Sequence, residues 1–218
     1  MAEATLLISS KNYSSWSLRG YLLARLSGID FAEERVSPDD PRAKEELLMR
    51  TSSILVPCLI HGDVSVWDTL AIAEYLNEQF PAAGMLPGEK HARARCRSIS
   101  GEMHSGFSAL RSSLPMNLRF RKPGFTVWSS AQADIDRITS IWRECLGTWK
   151  GPFLFGRKPT IADAMYAPVT TRFLSYDVAL DDLSAGYVKT IMNWPPMAEW
   201  VEDSRNEPEE IIELDLDF

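Results

Sequence analysis

Residues 57–72, Pro57-Cys58-Leu59-Ile60-His61-Gly62-Asp63-Val64-Ser65-Val66-Trp67-Asp68-Thr69-Leu70-Ala71-Ile72, carry the pattern on which the fold turns. Two short β-rich runs, Pro57–Ile60 and Val64–Trp67, flank a turn tripeptide with glycine at its centre and read as an antiparallel hairpin. Asp68 then opens a helix whose Ile72, Tyr75, Leu76 and Phe80 recur at i, i+3, i+4 and i+8. Upstream, Thr5–Ser9 is a strand. The helix after it carries Leu18, Leu22 and Leu26 at four-residue spacing, with Gly28 as its stop. Phe31–Val36 reads as a weaker strand, and Pro41 opens a short helix to about Met49. The order is β-α-β-α-β-β-α. Strands joined through a helix pair in parallel and a three-residue loop forces an antiparallel pair, so the sheet is mixed.

Downstream the strand signals stop. Pro81–Glu89 contains two prolines and two glycines and reads as a linker between a domain at 1–80 and a second at 90–218. The second domain is helical. Ile99, Met103, Phe107, Leu110 and Leu114 form one long apolar stripe. Ile135, Ile138, Trp142 and Trp149 form another, in a helix starting near Ser129 or Ser130. A third helix starts at Thr160, and a last short one runs through Trp200.

At 218 residues with 45% apolar and 24% charged, the chain has the balance of a globular protein with a full core. Its net charge of −7 argues against nonspecific nucleic-acid binding, which needs clustered cations. Arg93, Arg95 and Arg97 read as a solvated helix face, and the acids Glu207, Glu209, Glu210, Glu213, Asp215 and Asp217 as a frayed, solvated tail. Apolar runs are too short to span a membrane, and residues 1–20 show no secretory leader pattern, so a cytoplasmic protein is expected. Cys58, Cys96 and Cys145 have no paired spacing, which favours neither a disulfide framework nor a metal site. His61, His91 and His104 are scattered and read as surface or packing residues.

Four motifs in order resemble a soluble glutathione transferase, and the match covers essentially the whole chain. They are Asn12-Tyr13-Ser14-Ser15-Trp16-Ser17-Leu18-Arg19 at the entry to the first helix and Val56-Pro57-Cys58-Leu59 before the hairpin. Trp67-Asp68-Thr69-Leu70-Ala71-Ile72 follows the hairpin, and Phe153-Leu154-Phe155-Gly156 with Thr160-Ile161-Ala162-Asp163-Ala164 comes late in the helical half. The resemblance implies a thioredoxin-like α/β domain followed by an all-α domain, with glutathione as co-substrate and no metal. It also implies a homodimer and a small hydrophobic electrophile as the second substrate.

Such an enzyme must hold glutathione's thiol as thiolate. A thiol of pKa about 8.5 is only a few per cent ionised at pH 7, and half ionisation needs roughly 2 kcal/mol. One charge-assisted hydrogen bond offers about 1.5–3 kcal/mol, and a helix N-terminus adds on the order of 0.3–2 kcal/mol. Ser14 and Ser15 are therefore the catalytic candidates, although a serine there also suits an N-cap. Aligned on Trp16 and Arg19, the position where many serine-type relatives carry their hydroxyl falls on Asn12, whose amide N–H can donate to a thiolate. Tyr13 is a further phenol donor, but its position does not match that of the family's tyrosine-type classes, whose tyrosine lies just after the first strand.

The resemblance implies a cis bond between Val56 and Pro57, which would turn the Val56 N–H and C=O outward to pair with the extended glutathione peptide as an added strand. The helix N-terminus at Asp68 and Thr69 would hold the γ-glutamyl carboxylate, with Asp68 near the ammonium. In the family the helix carrying Met103, Phe107 and Arg111 borders the electrophile pocket, which makes these three candidates for its wall. Thr160 and Asp163 read instead as a capping box, a folding element. Glutathione-dependent isomerisation or reduction, and a non-catalytic binding module, stand as alternatives. The serine-rich entry resembles that of the zeta-type isomerases without their cysteine, and reduction is disfavoured by the lack of a cysteine at the helix entry.

Overall fold

The computed structural model describes residues 2–36 and 41–208. Strand β1 (Ala4–Ile8) has Leu6, Leu7 and Ile8 fully buried, because both faces of its sheet are covered. Leu6 and Ile8 face the main core with Leu59, while Leu7 packs with Leu47 and Cys58 on the opposite face. The sheet runs β2 (Phe31–Arg35), β1, β3 (Cys58–His61), β4 (Val64–Trp67). β1 pairs parallel with β2 and antiparallel with β3, and β3–β4 is the antiparallel hairpin, so the sheet is mixed. Helices α1 (Ser15–Ser27) and α3 (Thr69–Gln79) pack against each other, and α2 (Pro41–Thr51) contributes Leu47 to the smaller cluster.

Local chemistry explains the bounds of α1. Ser14, in an extended conformation, accepts from the Ser17 N–H and caps the helix start, and Gly28 ends it in the left-handed region at φ 80°. Gly20 matters for close approach instead, since a Cβ there would stand 2.5 Å from Cβ of Pro57. The absent side chain lets α1 lie directly on the segment before β3, where the Val56–Pro57 peptide is cis.

After a 3-10 turn at Pro81–Ala83 the chain is helical: α4 (Lys90–Ser105), α5 (Ser108–Ser113), α6 (Ser129–Trp149), α7 (Ile161–Ser175), α8 (Asp182–Met192) and α9 (Pro195–Arg205). One apolar core continues from Leu6, Leu22 and Ile72 into Met103, Trp142 and Trp200. Two expectations change. The stripe from Ile99 to Leu114 is not one helix, because Gly106 ends α4 and Phe107 turns the chain at φ 58° before α5 begins. Helix α8 is separate from α9, its start capped by Asp181. The arginines of α4 make their contacts at the solvent-facing surface: Arg95 pairs with Glu144 at 2.6 Å, Arg97 with Glu74 at 2.8 Å, and Arg93 donates to the Gly88 carbonyl.

The capping box at Thr160 reaches further than a helix cap. Asp163 is fully buried, and its carboxylate accepts from Thr160 N at 2.8 Å, Thr160 Oγ1 at 2.9 Å, Leu154 N at 3.0 Å and Tyr187 Oη at 3.1 Å. Burial raises its pKa from the usual carboxylate value, and the four donors pull the other way. One side chain thus joins the start of α7, the loop before it and α8. Asp163→Ala leaves several buried donors without an acceptor, so the expected loss is about 3–5 kcal/mol rather than that of a single cap. Urea denaturation measures it, and a loss within the range of an ordinary surface substitution would contradict this account.

Candidate functional site

The β1–α1 loop places Ser14 at the open end of α1. Its Oγ accepts from Ser17 N at 3.2 Å and its hydroxyl donates to Ser17 Oγ at 2.9 Å. Ser17 Oγ in turn accepts from Ser9 N at 3.0 Å. Capping uses Ser14's lone pair, so its proton can be redirected to an acceptor outside the helix without breaking the cap. Ser15 is buried, and its Oγ lies 3.4 Å from Arg19 Nη1.

Asn12 does something else. It is fully buried; its Nδ2 donates to Asn117 Oδ1 at 3.0 Å, and its Oδ1 accepts from Leu118 N at 2.8 Å and Arg119 N at 3.1 Å. The amide fastens the serine loop to the segment after α5. Tyr13 Oη meets Arg119 Nη2 at 3.4 Å.

The loop has a second anchor, which the sequence places in a solvated tail. Glu207 is 6% exposed, and its carboxylate accepts from Ser10 Oγ at 2.6 Å, Lys11 N at 2.7 Å and Asn12 N at 2.9 Å. Arg35 Nη2 lies 2.9 Å away. Backbone donors turned towards one point make an anion nest, which a carboxylate from the chain's far end fills. Glu209, Glu210, Glu213, Asp215 and Asp217 lie outside the described residues.

Opposite Ser14 stands the start of α3. Asp68, at φ 75°, caps it through Leu70 N at 2.8 Å. Its other oxygen is 2.6 Å from Nε2 of His104 on α4. Thr69 is buried, and its hydroxyl has no hydrogen-bond partner. The two helix starts are linked through aromatic contact, since the His104 ring lies 5.3 Å from that of Trp16 in the first turn of α1. Pro57 packs on Gly20 of the same helix. Trp16 and Gly20 thus link α1 to the start of α3 and to Pro57, and Ser14 and Asp68 each stand at a helix N-terminus, an end that favours anions.

Trp16 is also flanked by cations: the Arg19 guanidinium lies 4.7 Å from its ring and that of Arg111 4.8 Å. Arg111 Nη2 folds back onto the carbonyls of Met103 and His104 at 2.6 and 2.8 Å. Burial, and then the charges of Arg172 and Arg111, lower the Arg19 pKa.

Met103 and Phe107, expected on a pocket wall, are core residues, 0% and 7% exposed; Met103 lies on the buried face of α4 with Cys96 and Ile99. A cavity of about 400 Å³ opens elsewhere, between the end of α5, the segment 120–128 and Tyr176. All three cysteines are buried; burial pushes the Cys96 thiol up to about 12 and Cys145 to about 11, which removes them as nucleophiles. Among the described residues no group of three or more His, Cys, Asp or Glu is placed to hold a metal ion. Nor is any described helix long and apolar enough to cross a membrane.

His104, Glu207 and Ser17 escaped the sequence reading. Each works through a partner distant in the chain or through burial, and no local spacing signals either.

Glu207→Ala is expected to strip the Lys11 amide of its acceptor and leave the Asn12 amide only Ser10 Oγ, at about 1–3 kcal/mol, with Glu207→Gln milder. Hydrogen exchange at Lys11 and Asn12 should quicken in the alanine variant. Exchange unchanged from wild type would refute the anchor.

Residues 13–79 match the family described as Glutathione S-transferase, N-terminal domain, and residues 91–203 match Glutathione S-transferase, C-terminal domain. A Probable maleylacetoacetate isomerase of Caenorhabditis elegans is 28% identical over 157 residues, covering 72% of this chain and 73% of that protein. Glutathione S-transferase 1 of Dianthus caryophyllus is 29% identical over 161 residues, covering 73% of each. Among solved structures, a glutathione transferase homolog from Burkholderia gl BGR1 with bound glutathione superposes with a TM-score of 0.72. It is 22% identical and the match covers 94% of this chain and 99% of that one.

Proposed function

The chain belongs to the glutathione S-transferase family, and from that we propose that it is a cytoplasmic enzyme transferring the glutathione thiolate to a small apolar electrophile. The observation that carries this reading is the convergence on α1 of a capping serine, the segment before β3 and the start of α3. In this reading the extended peptide pairs with the backbone at Val56, and the first amides of α3 hold its γ-glutamyl carboxylate. The buried, unpartnered hydroxyl of Thr69 supports the last assignment. The domains are those at 1–80 and 90–218, with 81–89 between them.

Ser14 serves as thiolate donor. Its proton leaves Ser17 Oγ for the sulfur while its lone pair continues to accept from Ser17 N, and the α1 N-terminus adds its positive end. Ser15 is the lesser candidate because it is buried beside Arg19. Asn12 acts by holding the loop rather than by donating.

A second reading is glutathione-dependent isomerisation of a carboxylate-bearing substrate. It is favoured by the Arg111 cation beside Trp16, and by the isomerase among the similar proteins. Turnover of an aryl halide against cis–trans isomerisation of an unsaturated dicarboxylate, each with glutathione, separates the two.

Glutathione at 100 times its Kd should stabilise the protein by about 2.7 kcal/mol. In that complex, Ser14→Ala should raise the bound thiol's pKa by about one unit, equal to about 1.4 kcal/mol, while Ser15→Ala leaves it unmoved. Thiolate absorbance against pH reads both. A melting temperature indifferent to millimolar glutathione would overturn the assignment, and an unshifted titration in Ser14→Ala would overturn the serine's role.

The homodimer belongs to the same proposal. Leu48, Met49, Ile54 and Leu55, on the end of α2 and the loop after it, are 52–81% exposed and form an apolar patch that a second copy would cover. Sedimentation should give a dimer mass for the wild type and a monomer mass for Met49→Glu with Ile54→Lys. A monomeric wild type would refute it.

A further inference from the structure

Asp68 is the one acidic group at the start of α3, and both its oxygens are engaged from fixed directions. Oδ1 takes the Leu70 N–H and Oδ2 takes Nε2 of His104. A carboxylate only accepts, so the histidine nitrogen is the donor. His104 comes from the other half of the chain, and three features hold it in place. Trp16 packs against its ring, Arg111 donates to its carbonyl, and the turn at Phe107 brings Arg111 back to make that bond.

A lone N-cap aspartate can rotate about its side-chain bonds and still satisfy one amide. With the second oxygen pinned, the plane of the carboxylate is fixed, and each oxygen keeps a further lone pair for an incoming donor. Beside it the Thr69 hydroxyl is buried without a partner, a second sign that the start of α3 awaits a ligand's polar groups.

We propose that His104 is a positioning residue for glutathione, fixing the Asp68 carboxylate so that it receives the α-ammonium of the γ-glutamyl group. The helical half of the chain thereby sets selectivity for that ammonium, although the carboxylate belongs to the α/β half. The assignment rests on the glutathione reading of the site, and its test is built so that the two fail differently.

The measurement is calorimetric affinity for two peptides. One is glutathione; the other is 4-carboxybutanoyl-Cys-Gly, the same molecule without its α-ammonium. H104F and H104L remove the donor while keeping an apolar side chain against Trp16, and H104Q retains a donor. For H104F and H104L the Kd of glutathione should rise about tenfold, the loss of one charge-assisted contact, with the Kd of the deamino peptide within about twofold of wild type. H104Q should recover most of the difference.

Equal loss for both peptides, or glutathione affinity as in wild type, overturns the role of His104. The His104 side chain is 28% exposed, so two unrelated replacements are expected to fold. Unfolding of both would also overturn the proposal, by assigning the residue to stability. Wild-type protein that binds neither peptide would instead overturn the glutathione reading itself.

Discussion

Arg19 is 1% exposed between α1 and α7, with its Nε on the Met165 carbonyl at 2.8 Å and its guanidinium against the face of Trp16. Taking a cation out of water costs several kcal/mol unless donors and charge are met. A carbonyl from the other half of the chain and an aromatic face on its own helix meet that need. Its pKa falls under burial and the nearby charges of Arg172 and Arg111, so the arrangement is held against repulsion. The orientation of α1 depends on this contact. The site depends on α1, because Ser14 caps its start, Pro57 rests on Gly20 and Trp16 touches His104.

The serine loop is correspondingly well tied. Glu207 fills its ring of amides from the far end of the chain, and Asn12 fastens it to the segment at Asn117. A short loop held at neither end would sample many conformations, each costing order when a ligand binds. Fixing it beforehand leaves the ligand to supply only its own ordering. Asp163 has the same part in the helical half, where one buried carboxylate on α7 gathers donors from that helix's N-cap, from α8 and from the loop between α6 and α7.

The two helix starts at Ser14 and Asp68 give the site its electrostatic character. Both present the positive end of a helix, and the cations around Trp16 add to the field. Asp68 is the local exception, a negative group among positive ends, and it is the group that His104 holds. A zwitterionic peptide terminus with a carboxylate and an ammonium matches that alternation better than a simple anion does.

Element order, the mixed sheet and the helical second half were legible in the sequence, because hydrophobic period, turn chemistry and caps are local properties. Gly28 and the box at Thr160 and Asp163 are examples, as is the hairpin around Gly62. The break at Phe107 was not legible, since a left-handed phenylalanine leaves the apolar spacing of Ile99, Met103 and Leu110 intact. Nor was the bond from His104 to Asp68, the burial of Glu207 or the engagement of Asn12. Those pairings lie 36, 195 and 105 residues apart in sequence. Their partners are chosen by which faces the packed helices bring together, a decision made by the whole core at once and written in no single stretch of chain.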